Sequence, residues 1–361
     1  MRPIIPLHIG NRPVGPGHTT YIIAEMSANH NGDLDRAIRI VEAAAEAGAD
    51  AIKLQTYTAD TITLDSSAEP FRIKGTMWDG RTLYDLYSEA SIPWEWHAPI
   101  QQRAHELGLD FFSTPFDDTA VDFLEGLDVP VYKIASFENV DVPLIRRVAS
   151  TGKPIIMSTG MATLAEVEEA VQAAREGGCE QLALLKCTSA YPAPPEEANL
   201  RTIPHLRDTF GVVPGLSDHT MSEAVPTAAV ALGACVIEKH FTLSRADGGV
   251  DSDFSLEPHE FRRMVEAVRT TERALGRVTY EITDKQKVSR TFRRSLFVVR
   301  DVGAGDPFTH ENVRSIRPAD GLHTRHLDEV IGRVASRDVP RGTPLSWTMV
   351  RDESPVIAAT P

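Results

Sequence analysis

Residues 21–57 read YIIAEMSANHNGDLDRAIRIVEAAAEAGADAIKLQTY, and this stretch decides the fold of the chain. It joins apolar runs at 21–27 and 51–57 through an amphipathic segment at 33–47. Continuous apolar runs are typical of parallel strands that are buried on both faces. The apolar positions of the segment between them recur at helical spacing: Leu34, Ile38, Val41 and Ala45. The stretch is therefore predicted to be a strand–helix–strand unit.

The same alternation continues to residue 275. Apolar runs predict eight strands: 21–27, 51–57, 110–115, 131–136, 154–159, 182–188, 212–217 and 235–241. Glycines follow the predicted helices as stop signals: Gly48, Gly108, Gly152, Gly177 and Gly178. With a last helix over 258–275, eight strand–helix units in about 255 residues predict an α/β fold of the (β/α)₈ TIM-barrel type. The alternative is a doubly wound open sheet, which no glycine-rich phosphate loop supports.

Two segments lie outside this repeat. Residues 58–92 form a long connection rich in aromatic side chains, which favours a lid or binding loop, with a solvated insertion as the alternative. Residues 276–294 are polar and charged and are interpreted as a linker. Short strand-like runs and turn signals follow. We therefore predict a catalytic barrel with an N-terminal cap over 1–275, the linker, and a small second domain over 295–361.

Composition narrows the class of partner. The 361 residues carry a net charge of −14, which argues against nucleic acid, because a phosphate backbone needs a basic face. Three cysteines form no CxxC pair and favour a reducing compartment. The N-terminus lacks the apolar core of a signal peptide, and no run approaches the length of a membrane span. A cytoplasmic protein without a membrane partner is expected.

In three of the predicted apolar strands lies a lysine, which is costly there unless it is paired or meets an anion: Lys53, Lys133 and Lys186. Strand ends build the active site of a barrel, so these side chains are candidates for an anion site. Hydroxyls at neighbouring strand ends would complete it: Thr114, Ser136, Ser158 and Ser217. A phosphate with a carboxylate is the kind of ligand that uses so many donors. The alternative is simple pairing with buried glutamates: Glu25, Glu138 and Glu238.

Two histidines, His219 and His240, end adjacent predicted strands and can converge on one ion. Two imidazoles with a nearby carboxylate, Glu25, suit a catalytic Mn²⁺, Fe²⁺, Co²⁺ or Mg²⁺ site better than a closed zinc site. Such an ion would act as a Lewis acid. The alternative is that each histidine is structural.

Nine motifs stand in order along the barrel segment: IIAEMSANHNGDLDRA, ADAIKLQTYTADTITLD, STPFD, YKIASFE, MSTGMA, LLKCTSAYPAP, GLSDHT, EKHFTL and VDSDFSLEP. This series resembles that of the sialic acid synthases, which are phosphoenolpyruvate-dependent nonulosonate synthases. The final segment, FRRSLFVVRDVGAGD to VASRDVPRGTPL, resembles their antifreeze-like (SAF) domain. Within the family, MSANHN, MWDGRTLYDLYSEASIPWEWH and KIASFE are most similar to pseudaminic acid synthases. Ala135 and Phe137 stand where sialic acid synthases proper have glycines, and Ser252 where they have a histidine.

The resemblance implies roles for individual residues. Phosphoenolpyruvate would be held by Lys53, Gln55, Thr114, Lys133, Ser136, Ser158 and Ser217. A divalent metal, Mn²⁺ first with Mg²⁺ or Co²⁺ as alternatives, would bind His219 and His240, with Glu25 close by through water. The residues expected to meet the sugar are Tyr191, Asp251 and Arg317, the last from the partner in a domain-swapped homodimer. The expected catalytic set is Glu25, His219, His240 and Asp251.

The implied reaction condenses phosphoenolpyruvate with the open-chain aldehyde of 2,4-diacetamido-2,4,6-trideoxy-L-altrose, with C–O cleavage and release of phosphate. An N-acetylneuraminate or legionaminate synthase acting on N-acetylmannosamine or a related hexose is the alternative. A metal-dependent pyruvate aldolase and a carbohydrate- or ice-binding protein are more distant alternatives. Aromatic residues of the segment 71–96 are expected to line the sugar pocket or, alternatively, to pack a lid: Phe71, Trp78, Tyr84, Trp94 and Trp96.

Overall fold

The computed structural model describes residues 4–76 and 78–351. The chain divides into two compact units, Met1–Gly276 and Arg277–Pro361. The start of the predicted first domain, residues 1–3, and the end of the predicted second domain, residues 352–361, lie outside the described residues.

The first unit is a closed barrel of eight parallel strands. An antiparallel hairpin, β1 (Leu7–Ile9) and β2 (Arg12–Val14), precedes it. The barrel strands are β3 (Tyr21–Glu25), β4 (Ala51–Thr56), β5 (Asp110–Pro115), β6 (Tyr132–Ile134), β7 (Ile155–Ser158), β8 (Leu182–Cys187), β9 (Val213–Asp218) and β10 (Val236–His240). They pair in chain order, and β10 pairs with β3 to close the barrel. The predicted barrel is confirmed, and the open sheet is wrong.

Helices alternate with these strands: α1 (Leu34–Glu46), α4 (His97–Glu106), α5 (Asp118–Gly126), α6 (Val142–Ala149), α7 (Leu164–Glu176), α8 (Thr202–Phe210), α9 (Ala224–Ala231) and α10 (Pro258–Leu275). Two more helices, α2 (Ala59–Ile62) and α3 (Leu83–Ala90), lie between β4 and α4. Both begin at threonine caps, since Thr58 and Thr82 accept from backbone amides three residues on. Within the described ranges, no helix is long and apolar enough to cross a membrane.

The stripe predicted for α1 is displaced by about one residue. The helix buries Ala37, Ile40, Val41 and Ala44, whereas the larger Leu34 and Ile38 flank the core and are only partly buried. Small side chains at the centre of the contact let the helix lie close to the barrel. The helix begins where predicted, because the Asp33 side chain accepts from the Arg36 amide at 3.0 Å.

The second unit contains the helix α11 (Asp284–Ser289), the antiparallel pair β11 (Ser295–Val298) and β12 (Val313–Ile316), and the helix α12 (Leu327–Val330). Its own core is formed around Leu296, Val298 and Phe308. The helix α11 lies within the segment interpreted as a linker and begins at a capping box of Thr283 and Gln286.

Candidate active site

A cavity of about 350 Å³ lies among the C-terminal ends of the barrel strands. Of the thirteen residues to which the resemblance assigns roles, twelve line it: Glu25, Lys53, Gln55, Thr114, Lys133, Ser136, Ser158, Tyr191, Ser217, His219, His240 and Asp251. Cavities of this volume are typical of small-molecule sites. Arg317 lies in the second unit, directly after β12, and its role stays a prediction.

The strand register brings these side chains together. His240 on β10 lies beside Glu25 on β3, and Glu25 lies beside Lys53 on β4. Side chains two residues apart on a strand share a face, so Glu238 points to the same side as His240. Gln55 follows Lys53 in the same way and donates to Glu25 Oε1 at 3.1 Å. Three adjacent strands therefore supply one continuous polar surface inside the barrel.

Glu238 is the centre of a buried ion cluster. Its Oε1 atom lies 3.7 Å from the Lys133 ammonium and 3.9 Å from that of Lys53, and it accepts a hydrogen bond from Ser217 at 3.3 Å. Burial acts to raise the pKa of Glu238, but Lys133 and Lys53 outweigh it, so the pKa is lowered. The carboxylate thus stays ionised between two cations.

Lys53 pairs with Glu25 and donates to Thr114 Oγ1 at 3.2 Å. Burial acts to lower its pKa, but Glu238 and Glu25 outweigh burial and the pKa is raised. The pKa of Glu25 is raised, chiefly by burial, although Lys53 acts against this. Lys133 donates to Ser158 Oγ at 2.6 Å and to the Ile134 carbonyl at 3.1 Å. The same cluster therefore contains both the lysine–glutamate pairs and the hydroxyl groups predicted for an anion site.

Lys186 does not belong to this cluster. It donates to the Cys187 carbonyl at 2.6 Å and to Thr188 Oγ1 at 3.3 Å, and the side chain that lines the cavity from β8 is Cys187. The prediction that Lys53, Lys133 and Lys186 together form the anion site is wrong for Lys186, because alternation along β8 turns it away from the residues that face inward.

His219 and His240 face each other with ring centroids 5.3 Å apart. His219 Nδ1 lies 2.9 Å from the Thr188 carbonyl, which can only accept, so Nδ1 carries the proton and Nε2 keeps its lone pair. His240 Nδ1 is buried, and within residues 4–76 and 78–351 it has no hydrogen-bond partner. The pKa of His240 is lowered, chiefly by burial. Both rings thus offer a free nitrogen, which fits a shared cation.

The surrounding charges also fit a cation. The pKa values of Glu25, Glu138 and Asp251 are all raised, with burial as the chief cause, and that of Glu138 reaches about 7. A divalent ion would favour their ionised forms. The part of the chain that the structure describes contains no group of three or more histidine, cysteine or acidic side chains arranged to hold an ion. Two histidines would leave the other coordination positions to water or substrate.

The His219 ring also lies near a thiol. Cys187 Sγ is 4.0 Å from His219 Nδ1. Burial acts to lower the pKa of His219, but Cys187 and the Thr188 carbonyl outweigh burial and raise it. Burial likewise acts to raise the pKa of Cys187, but His219 lowers it to about 7. A metal ion binds neutral imidazole, so it would compete with the proton on His219.

Tyr191 and Asp251 flank the histidines. The Tyr191 ring lies 4.4 Å from the His219 ring and 4.9 Å from that of Phe254. Asp251 accepts from the Ala28 amide at 3.2 Å and from the Ser27 hydroxyl. These contacts hold both side chains at the cavity, where the sequence predicts sugar contacts.

The aromatic residues expected to line the pocket divide into two groups. Trp78 lines the cavity, whereas Trp94 packs against Phe123 with ring centroids 4.7 Å apart. Trp96 packs against His30, and the Tyr84 hydroxyl donates to Asp60 at 3.2 Å. The packing alternative is thus correct for Trp94 and Trp96, whereas Tyr84 contacts α2 of the same connection. Phe71 is partly buried and does not line the cavity.

Two further positions were singled out for the sugar. Phe137 lines the cavity. Ser252 does not; it is buried and donates to the Gly249 carbonyl at 3.3 Å.

From the sequence, Glu238 is predicted only as a pairing partner of the lysines, and neither Tyr57 nor Tyr87 is predicted to meet a ligand, yet all three line the cavity. The signal for Glu238 was available, since it stands two residues before His240 on one strand. Tyr87 gives no such signal, because its position follows from how α3 packs.

The barrel and its pocket define a TIM-barrel enzyme. The chain matches the NeuB family over residues 40–280 and the SAF domain over residues 293–351. The chain belongs to the NeuB family.

Several of its relatives are synthases. The chain is 46% identical over 326 residues to the pseudaminic acid synthase of Helicobacter pylori, covering 90% of this chain and 96% of that one. It is 37% identical to the N,N'-diacetyllegionaminic acid synthase of Legionella pneumophila, covering 94% of this chain and 96% of that one. Among solved structures, the N-acetylneuraminic acid synthetase of Leptospira borgpetersenii matches with a TM-score of 0.71 at 30% identity, covering 79% of this chain and 95% of that one.

Proposed function

We propose that this enzyme is a pseudaminic acid synthase that condenses phosphoenolpyruvate with 2,4-diacetamido-2,4,6-trideoxy-L-altrose. The observation that carries the proposal is the 46% identity to a pseudaminic acid synthase over nearly the whole length of both chains, against 37% for a legionaminic acid synthase. The cluster of Lys53, Lys133 and Glu238 supports it, because it gives the barrel a buried site for an anionic substrate.

Phosphoenolpyruvate would bind by exchange of ion pairs. Lys133 is held only loosely by Glu238, at 3.7 Å, and Lys53 is shared between Glu238 and Glu25. A phosphate or carboxylate that enters the cluster can take over both ammonium groups. The hydroxyls that line the cavity supply further donors: Thr114, Ser136, Ser158 and Ser217. These donors would stabilise the phosphate as negative charge develops on it.

The condensation forms one C–C bond and breaks one C–O bond. C3 of phosphoenolpyruvate attacks the sugar aldehyde, a water adds to C2, and the C2–O bond to phosphate breaks. Glu25 lies next to His240 and Lys53 in the register and is the candidate to orient or deprotonate that water. The raised pKa of Glu25, due chiefly to burial, makes its carboxylate a stronger base than an exposed one.

A divalent metal would be held by His219 and His240. Mn²⁺ is the ion we propose, with Mg²⁺ or Co²⁺ as alternatives, and when bound it would supply Lewis-acid polarisation of the aldehyde oxygen. Tyr191 and Asp251, which flank the histidines, would position the sugar beside it.

We further propose a homodimer in which Arg317 of one subunit serves the sugar site of the other. The support is the resemblance of the RPADG segment to the antifreeze-like domain of the family, together with the match of residues 293–351 to the SAF domain. A guanidinium donates two parallel hydrogen bonds and suits a substrate carbonyl.

The test is phosphate release from the purified enzyme with Mn²⁺, phosphoenolpyruvate and the trideoxy sugar, followed by mass spectrometry of the product. We expect release only when both substrates are present, with a product mass equal to their sum plus water minus phosphoric acid. Condensation with pyruvate instead, without phosphate release, would show a pyruvate aldolase and contradict the proposal. The Lys133→Ala enzyme under the same conditions is the negative control, and it should release less phosphate than the native enzyme.

A further inference from the structure

The cavity has a second, less polar part. Whereas the ion cluster comes from strand ends, this part comes from the connection between β4 and α4, which supplies Ile62, Trp78, Leu86 and Tyr87. Tyr57, just after β4, joins it, with its ring 5.8 Å from that of Tyr87. We call these five residues the apolar wall. A wall of this composition in an otherwise charged site indicates that part of the ligand is apolar.

Trp78 is fixed within this wall. Its Nε1 donates to the Val250 carbonyl at 3.2 Å, although the two residues are 172 apart in the chain. Its ring lies 6.3 Å from that of Tyr191, which in turn lies 4.4 Å from His219. Because the indole N–H already has its acceptor, the ring can offer only carbon atoms to a ligand. Trp78 is therefore a rigid apolar surface near the paired histidines.

The two tyrosines add a different property. Within the ranges that the structure describes, neither the Tyr57 nor the Tyr87 hydroxyl has a hydrogen-bond partner among protein groups, and both residues line the cavity. An acetamido group has a carbonyl that accepts and an N–H that donates, so it can satisfy such hydroxyls. The wall thus combines carbon surface with two available phenols.

We propose that the apolar wall is the subsite for the two substituents that distinguish the trideoxy sugar, and that Trp78 determines the preference for a methyl group at C6. This inference rests on the proposed function. A methyl group against Trp78, Ile62 and Leu86 gains apolar burial. A hydroxymethyl group there would lose its water and find no partner on those three side chains. The C4 acetamido group would bind Tyr57 and Tyr87.

The test uses a matched pair of aldehydes, the 2,4-diacetamido sugar with a methyl and the same sugar with a hydroxymethyl group at C6. For the native enzyme we expect kcat/KM to favour the methyl form by at least roughly tenfold. Trp78→Ala should reduce that ratio by roughly fivefold or more, with the KM for phosphoenolpyruvate little changed. Trp78→Phe, which keeps an aromatic ring, should retain most of the ratio. Tyr84→Phe, on the same connection but outside the cavity, is the matched control and should leave the ratio unchanged.

A gain of function keeps the inference testable if Trp78→Ala does not fold. Ile62→Ser places a hydroxyl in the wall and should raise kcat/KM for the hydroxymethyl sugar relative to the methyl sugar. A ratio that stays at the native value in Trp78→Ala, or in Ile62→Ser where Trp78→Ala does not fold, would overturn the inference. Failure of the proposed function looks different, since the native enzyme would then release no phosphate with either diacetamido sugar.

Discussion

The Lys133 ammonium lies 3.7 Å from Glu238 Oε1, while it donates to Ser158 Oγ at 2.6 Å. The lysine is therefore closer to a neutral hydroxyl than to this carboxylate. Burial lowers the pKa of Lys133, and the Lys53 ammonium also lowers it, while Glu238 acts in the opposite direction. An anion that contacts Lys133 would stabilise the charged form of the lysine, so a bound phosphate would raise its pKa.

We predict that Lys133→Ala raises the KM for phosphoenolpyruvate and lowers kcat. Loss of a charge-assisted contact of about 1.5–3 kcal/mol corresponds to roughly tenfold to a hundredfold in kcat/KM for this substrate. The KM for the sugar should change less. Lys153→Ala removes an ion pair with Glu125 and Asp128 elsewhere on the barrel and serves as control. Unchanged kinetics of Lys133→Ala would mean that the lysine only pairs with Glu238.

The second prediction concerns the metal. His219→Ala and His240→Ala should each abolish turnover without unfolding the barrel, because a catalytic ion with open positions is not needed for the fold. Circular dichroism and thermal unfolding check the fold, and phosphate release checks turnover. His259→Ala, a mostly exposed histidine near Glu257, is the control.

Chelation should act like these substitutions, but reversibly. Activity should disappear when the metal is removed and return when Mn²⁺ is added. Full activity in enzyme shown by elemental analysis to be free of metal would exclude the assignment.

The third prediction tests the shared site. Arg317→Ala and Lys133→Ala chains should each have little activity alone, but a mixture should recover part of it, because one of the two sites in a heterodimer has both residues. Arg300→Ala, which breaks a surface ion pair with Glu311, is the control and should stay active. An Arg317→Ala chain that is fully active alone would refute the contribution of Arg317.

The fourth prediction concerns stability at acid pH. His97 on α4 is buried; its Nδ1 contacts the Trp94 carbonyl at 3.1 Å and its Nε2 the Thr56 hydroxyl at 2.8 Å. Burial lowers its pKa from about 6.5 to about 4. The unfolded chain therefore binds the proton more tightly, so the stability contributed by neutral His97 is present above pH 6.5 and is lost as the pH falls towards 4.

This loss amounts to about 3 kcal/mol at most, at 1.36 kcal/mol for each pKa unit. Denaturant unfolding between pH 7 and 4.5 should give a steeper decline for the native chain than for His97→Gln. His105→Gln, an exposed position on the same helix, is the control. Equal slopes for the native chain and His97→Gln would contradict the prediction.

The barrel could be predicted because its signals are local. Each strand is a continuous apolar run, and Gly48 or Gly152 follows its helix with a positive φ of 89° or 75°. The burial of α1 was less predictable, since Leu34 and Ile38 are larger than Ala37 and Ala44 yet lie farther from the core. The size of a side chain does not show where a helix must lie close to the barrel.

The site was predictable where alternation along a strand decides it. Lys53 and Gln55 face inward together, and Glu238 shares their surface by the same rule as His240. The prediction for Lys186 is wrong because the position of β8 that faces the cavity is the next one, Cys187. Trp78 could not be separated from Trp94 by sequence, because both lie in one long connection and only tertiary packing decides which reaches the cavity.

The choice between two sugars shows whether this enzyme is a pseudaminic acid synthase. Given N-acetylmannosamine and 2,4-diacetamido-2,4,6-trideoxy-L-altrose with phosphoenolpyruvate, the enzyme should prefer the trideoxy sugar in kcat/KM by at least roughly tenfold to a hundredfold. The reason is that an apolar subsite disfavours an added hydroxyl only moderately. The Tyr57 and Tyr87 hydroxyls would lose more binding free energy when no acetamido group is present to satisfy them. Phosphate release with each sugar, checked by product mass, gives the ratio. A product that is mainly the diacetamido nonulosonate agrees with the account, whereas an equal or higher kcat/KM for N-acetylmannosamine contradicts it.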